Sequence, residues 1–145
     1  MRATNGHWRR AAAQPGRPDT EVQAFLDRFA HAMTSGDSKA IAQMWAVPAL
    51  VLGDDMTQPV STSEEVEEFF GGAKELYNKR GITDTRPEIF GLAWITDRIA
   101  LVDVRWPHLD QMGREIGEEA SSYVLRREDA GELKLQAAIM RGEAA

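Results

Sequence analysis

The sequence predicts a single α+β domain, helices first and a curved, mostly antiparallel sheet after. Apolar residues recur at helical intervals through the first half, and from Asp84 onward β-branched and aromatic runs alternate with turn residues. Size agrees: 145 residues, 43% hydrophobic and 28% charged, suffice for one packed core and are too few for two ordinary domains.

The elements follow in order. After Pro18, Thr20 and Gln23 stand at capping-box spacing, and Val22, Phe25, Leu26, Phe29, Ala30 and Met33 share one helical face that ends at Gly36. Asp37 is an N-cap for a shorter helix bearing Ala40, Ile41, Met44 and Trp45, which Pro48 is expected to stop. Ala49 to Leu52 reads as a strand closed by the turn Gly53-Asp54-Asp55, with a second short strand through Met56 to Val60. Ser61, Thr62 and Ser63 before Glu64 and Glu65 start a third helix whose apolar face runs from Val66 to Tyr77, interrupted by the unfavourable pair Gly71-Gly72. Four strands follow, at about Arg86 to Thr96, Ile99 to Trp106, Glu118 to Arg127 and Glu132 to Met140. Two hairpins and one looser connection, Pro107 to Gly117, join them.

This order, together with Phe25-Leu26-Asp27-Arg28-Phe29 through Ser35-Gly36-Asp37, then Met44-Trp45, Pro48-Ala49-Leu50-Val51 and Ser63-Glu64-Glu65-Val66, resembles the nuclear-transport-factor-2-like superfamily. That group is also described as cystatin-like or polyketide-cyclase-like. The resemblance implies N-terminal helices on a strongly curved, mixed and mostly antiparallel sheet that forms a cone with an apolar pocket, and it implies homodimerisation through the outer sheet face. Charge and composition along the chain add a flexible basic tail over 1–18 ahead of the one domain, over 19–142, and a short C-terminal end over 143–145. Members of the superfamily include isomerases, dehydratases, cyclases, epoxide hydrolases and non-catalytic modules, so the fold alone does not assign an activity.

Composition narrows the chemistry. Without cysteine there is no disulfide, thiolate nucleophile or cysteine-ligated metal. His7, His31 and His108 stand at no ligand spacing, so no metal and no cofactor are expected; His108 with Asp110 forms a candidate dyad at the cone mouth. Four of the 17 basic residues lie in 1–18, leaving 13 against 23 acidic residues in the body, a balance that disfavours nucleic acid. No apolar run is long enough for a membrane span, and residues 1–20 lack the apolar stretch of a secretory signal; a cytoplasmic protein is expected.

Candidate site residues come from the strands. Asp103 and Arg105, at i and i+2, share one strand face, while Val102, Val104 and Trp106 share the other. If the first face looks inward, Asp103 is a candidate base and Arg105 stabilises developing negative charge; if the second does, both belong to the surface or a dimer contact. Their order is the reverse of the Arg-x-Asp of epoxide-hydrolase-like sites. Against steroid-isomerase-like sites, Phe29 falls where the Tyr stands and Gly53 where the base stands. Phe29, Trp45, Phe69, Trp94, Trp106 and Tyr123 are candidates to line a pocket for an apolar or aromatic small molecule. The expected function is small-molecule binding, with proton-transfer catalysis of isomerase, dehydratase or cyclase type as its extension and a non-catalytic homodimeric module as the alternative.

Overall fold

The computed structural model describes residues 17–143. Helix α1, Arg17–Ser35, is already running at Arg17, so Thr20 lies within it; the tail expected over 1–18 falls almost wholly outside the described residues. Gln23 also departs from its expected capping role, donating to Asp27 Oδ1 at 3.0 Å and to the Pro87 carbonyl at 3.1 Å. The turn after α1 holds Gly36 at φ +72°, a left-handed conformation that glycine adopts without cost. Helix α2, Ser38–Gln43, follows with Asp37 as N-cap, its side chain accepting from the Ala40 N–H.

Strand β1, Trp45–Gly53, begins earlier than expected and includes Pro48, which stands inside the strand and not at a helix end. A bulge between Trp45 and Leu50 makes room for it, and Gln136 Nε2 donates to the freed carbonyls of Ala46 and Pro48. Strand β2, Met56–Val60, pairs antiparallel with β1. The third helix is two helices: α3, Ser63–Phe70, capped by Thr62, and α4, Ala73–Lys79. Gly72, at φ +83°, supplies the break.

The remaining strands are β3 (Glu88–Trp94), β4 (Ile99–Leu109), β5 (Glu115–Arg127) and β6 (Leu133–Glu143). Strand β4 runs through Pro107 to Leu109, so the expected loose connection shrinks to a turn around Asp110 to Arg114. Asp110 holds that turn, accepting from the N–H groups of Met112 and Arg114 at 2.9 Å and from Arg114 Nε at 3.0 Å; these bonds, the backbone one from Arg114 foremost, lower its pKa.

Together the strands make one six-stranded sheet in the order β2-β1-β6-β5-β4-β3, mixed because β1 and β6 are parallel while every other pair is antiparallel. The sheet is not closed, and it curls around the helices. Alternation along β4 decides the geometry of the molecule. Ala100, Val102 and Val104 are fully buried and Trp106 and His108 nearly so, in step with Tyr123 and Leu125 of β5 and with Val22, Phe25, Leu26 and Phe29 of α1. Leu101, Asp103 and Arg105 take the other face.

Candidate functional site

Between the concave face and the helices lies a cavity of about 130 Å³. A sealed void of similar size, about 150 Å³, accepts benzene. One wall is aromatic: Phe29 meets Phe70, Trp106 and Tyr123 edge-on at centroid distances of 6.1 to 6.3 Å, and Trp45 lies 5.8 Å from Phe70. Val51 and Ala138 add aliphatic surface from β1 and β6. Of the residues expected to line a pocket, Phe29, Trp45, Phe69, Trp106 and Tyr123 do so. Trp94 does not: it packs under the Arg127 guanidinium, 5.1 Å from the ring centroid, and Arg127 is in turn held by Glu21.

At the other end the cavity is polar. In the β4–β5 register Glu119 stands opposite Trp106, and Gly117 opposite His108, so His108, Glu119, Ser121 and Tyr123 all look inward. Glu119 Oε1 accepts from Tyr77 Oη of α4 at 2.6 Å and lies 3.0 Å from His108 Nε2. The His108 ring is buried and lies 5.7 Å from that of Tyr77. Gly117 is what admits the imidazole, since a Cβ there would sit 3.2 Å from His108 Nδ1. With Oε1 engaged twice, Glu119 keeps Oε2 for another partner; its side chain is 21% exposed. The candidate dyad of His108 with Asp110 is therefore replaced: His108 pairs with Glu119, and Asp110 serves the turn.

Deeper in the cavity Tyr123 Oη accepts from Trp106 Nε1 at 3.0 Å. Burial pushes its pKa up to about 12, with hydrogen bonds from Ser121 and Trp106 acting the other way, so the phenol stays neutral. Two further lining residues, Trp45 and Thr85, bury polar atoms that have no hydrogen-bond partner among the described residues.

Asp103 and Arg105 are not in this cavity. Both stand on the outer face, because the more apolar set Val102, Val104 and Trp106 fills the inner one. Arg105 is surrounded by Glu88, at 2.9 Å, and by Glu115 and Glu118, contacts that raise its pKa, the hydrogen bond to Glu118 most. Asp103 accepts from Ser122 Oγ at 2.5 Å and lies 3.5 Å from Arg141. Gly91 across the strand makes room for it, since a Cβ there would fall 2.5 Å from Asp103 Oδ2. The base-and-cation assignment expected for this pair fails on strand parity. Among the described residues no cluster of side chains is suited to hold a metal ion, and no helix is long and apolar enough to cross a membrane.

Helices gripped by a curled, open mixed sheet, with a cavity on its concave face, define the α+β cone class. Residues 20–143 match the family described as NTF2-like protein (DUF6841), and the chain belongs to that family. No curated protein matches it. Among solved structures, a domain of unknown function with a cystatin-like fold from Nostoc punctiforme PCC 73102 is similar at TM-score 0.65 and 14% identity, over 91% of this chain and 81% of that one. A ketosteroid isomerase-like protein from Erwinia carotovora atroseptica SCRI1043 is similar at TM-score 0.65 and 12% identity, over 90% and 99%. A protein from Catenulispora acidiphila, solved in complex with S-DNPA, is similar at TM-score 0.63 and 18% identity, over 86% and 92%. These likenesses concern the fold.

Proposed function

We propose that the protein binds a small molecule built on a single aromatic ring or its equivalent, and that Glu119 transfers a proton to and from that molecule. The observation that supports this reading is the Glu119 carboxylate at the polar end of an otherwise apolar cavity, with Oε1 anchored by Tyr77 and His108 and Oε2 left over. An anchored carboxylate beside an aromatic wall suits abstraction of a proton next to a carbonyl, the first step of isomerase, dehydratase and cyclase chemistry. Donors on Oε1 keep the carboxylate aimed, and the apolar walls exclude water from the enolate that forms.

Acetophenone tests both halves, since it joins one ring to a ketone with exchangeable α-protons. In D₂O the wild type should speed deuterium entry into its methyl group, and Glu119→Gln should remove the acceleration while raising or preserving the melting temperature. Binding of acetophenone without exchange would leave a binding protein and sink the catalytic half; absence of binding by any single-ring probe would sink the whole reading.

A second reading, a homodimer that pairs outer sheet faces, is favoured by the exposure there of Phe90, beneath Arg141, and of Leu101. It is compatible with a ligand in the cone. Sedimentation of Leu101→Asp tests it: the wild type should run as a dimer and the variant as a monomer.

A further inference from the structure

Lys74 is the one lysine or arginine among the described residues that line the cavity. Its placement is specific. The side-chain stem crosses Gly36, where a Cβ would come within 2.8 Å of Lys74 Cδ, so the left-handed turn between α1 and α2 has been kept bare for it. At the far end the Asn78 amide, oriented so that its NH₂ donates to the Ile82 carbonyl at 2.9 Å, presents its oxygen to Lys74 Nζ at 3.2 Å. That contact is neutral, and no described carboxylate forms an ion pair with the ammonium. Of the two acids that also line the cavity, Glu119 is turned by its Oε1 toward Tyr77 and His108, and Asp84 Oδ1 accepts from the Thr85 N–H at 2.9 Å. A long side chain half-withdrawn from water, gripped along its stem and given only an amide at its tip, keeps most of its capacity for an anion.

We infer that the ligand of this cavity is an aryl or alicyclic carboxylate, its ring against Phe29, Trp45 and Trp106 and its carboxylate on Lys74. The assignment rests on the reading of the cavity as a small-molecule site and adds the ligand's charge. In a protein of net charge -6, such an anion is captured by one local cation against the general field, so binding is expected to depend on ionic strength only weakly beyond the Lys74 contact.

Phenylacetate, phenylacetamide and toluene separate the claims, with quenching of tryptophan fluorescence and the rise in melting temperature as readouts. The wild type should prefer phenylacetate over phenylacetamide by about tenfold, the scale of one charge-assisted hydrogen bond. Lys74→Met should bring that ratio to about one, and Lys74→Arg should restore it, with melting curves confirming that both variants fold. If the two probes bind the wild type alike, or the preference survives in Lys74→Met, the carboxylate assignment is wrong while the cavity reading stands. If toluene and phenylacetamide also fail to bind, both are wrong.

Discussion

Ala138 lines the cavity from β6 and is 6% exposed, which makes it the place to fill the void from the rigid side. At ~24 cal/mol per Å³ of empty space, 130 Å³ withholds up to about 3 kcal/mol of stability. Ala138→Leu adds three carbons, worth about 2.4 kcal/mol at ~0.8 kcal/mol per buried methylene, against a packing strain of about 1 to 3 kcal/mol. With strain at the low end of that range, because the added carbons enter empty space, we expect a net stabilisation of roughly 1 kcal/mol, which is a rise in melting temperature of about 4 °C for a domain of this size. The same change should remove ligand binding. Toluene at a hundred times its dissociation constant should stabilise the wild type by about 2.7 kcal/mol and the variant not at all. Urea denaturation followed by tryptophan fluorescence, with and without toluene, measures both. Loss of more than about 2 kcal/mol with the toluene effect intact would show that there is no usable space beside Ala138, and the cavity argument would fail.

Other expectations follow from single contacts. The folded-state pKa of Tyr123 is raised from 10.0 to about 12, so its contribution is complete below pH 10 and is lost as pH rises through about 12. Urea midpoints between pH 9 and 11 should therefore fall more steeply for the wild type than for Tyr123→Phe, and equal slopes would contradict the burial argument. Gly117→Ala should press on His108 Nδ1 and displace the ring from Glu119, altering the imidazole NMR shifts while changing stability by only about 1 kcal/mol. Arg127→Met breaks two bonds to Glu21, one to the Gly131 carbonyl and the cover over Trp94, and should cost about 1 to 3 kcal/mol in urea without affecting ligand binding, since none of these groups lines the cavity. Asp110→Asn should flatten the acid limb of stability, because a carboxylate with a lowered pKa contributes fully above 3.8 and loses that contribution as pH falls through its folded-state value.

The fold was legible in the sequence because its signals are periodic. The α1 face from Val22 to Met33, the Asp37 and Thr62 caps and the alternation along β4 depend only on neighbours three, four or two residues away. The site was legible only in its apolar half. Trp45, Trp106 and Tyr123 announce themselves by size, whereas Glu119 sits beside Glu118 and reads as one of two charges near a strand end. Parity contains the missing signal: if Tyr123 faces inward, so do Ser121 and Glu119, two and four residues before it. His108 stood out in the sequence, but in a loop and with Asp110 as its partner, and the reason is different. Pro107 suggests a strand end, yet β4 continues through it, and the imidazole falls two residues beyond Trp106 on the same inner face. Tyr77 could not be placed without knowing that the helix breaks at Gly71-Gly72, since that break sets the direction of α4.

If the cavity is a binding site as proposed, the same break bears on how a guest would enter. Helix α4 contributes Lys74, Tyr77 and Asn78 to the cavity, yet none of its seven residues is buried. Opening there would break the bond from Tyr77 to Glu119 and the ring contact of Tyr77 with His108. The sheet side of the cavity, with Val102, Val104 and Leu125 fully enclosed behind it, has no comparable freedom. On the proposed reading, the rate at which ligands come and go would belong to a two-turn helix on a glycine joint, and selectivity to the aromatic floor it covers, so the two properties could drift apart under mutation.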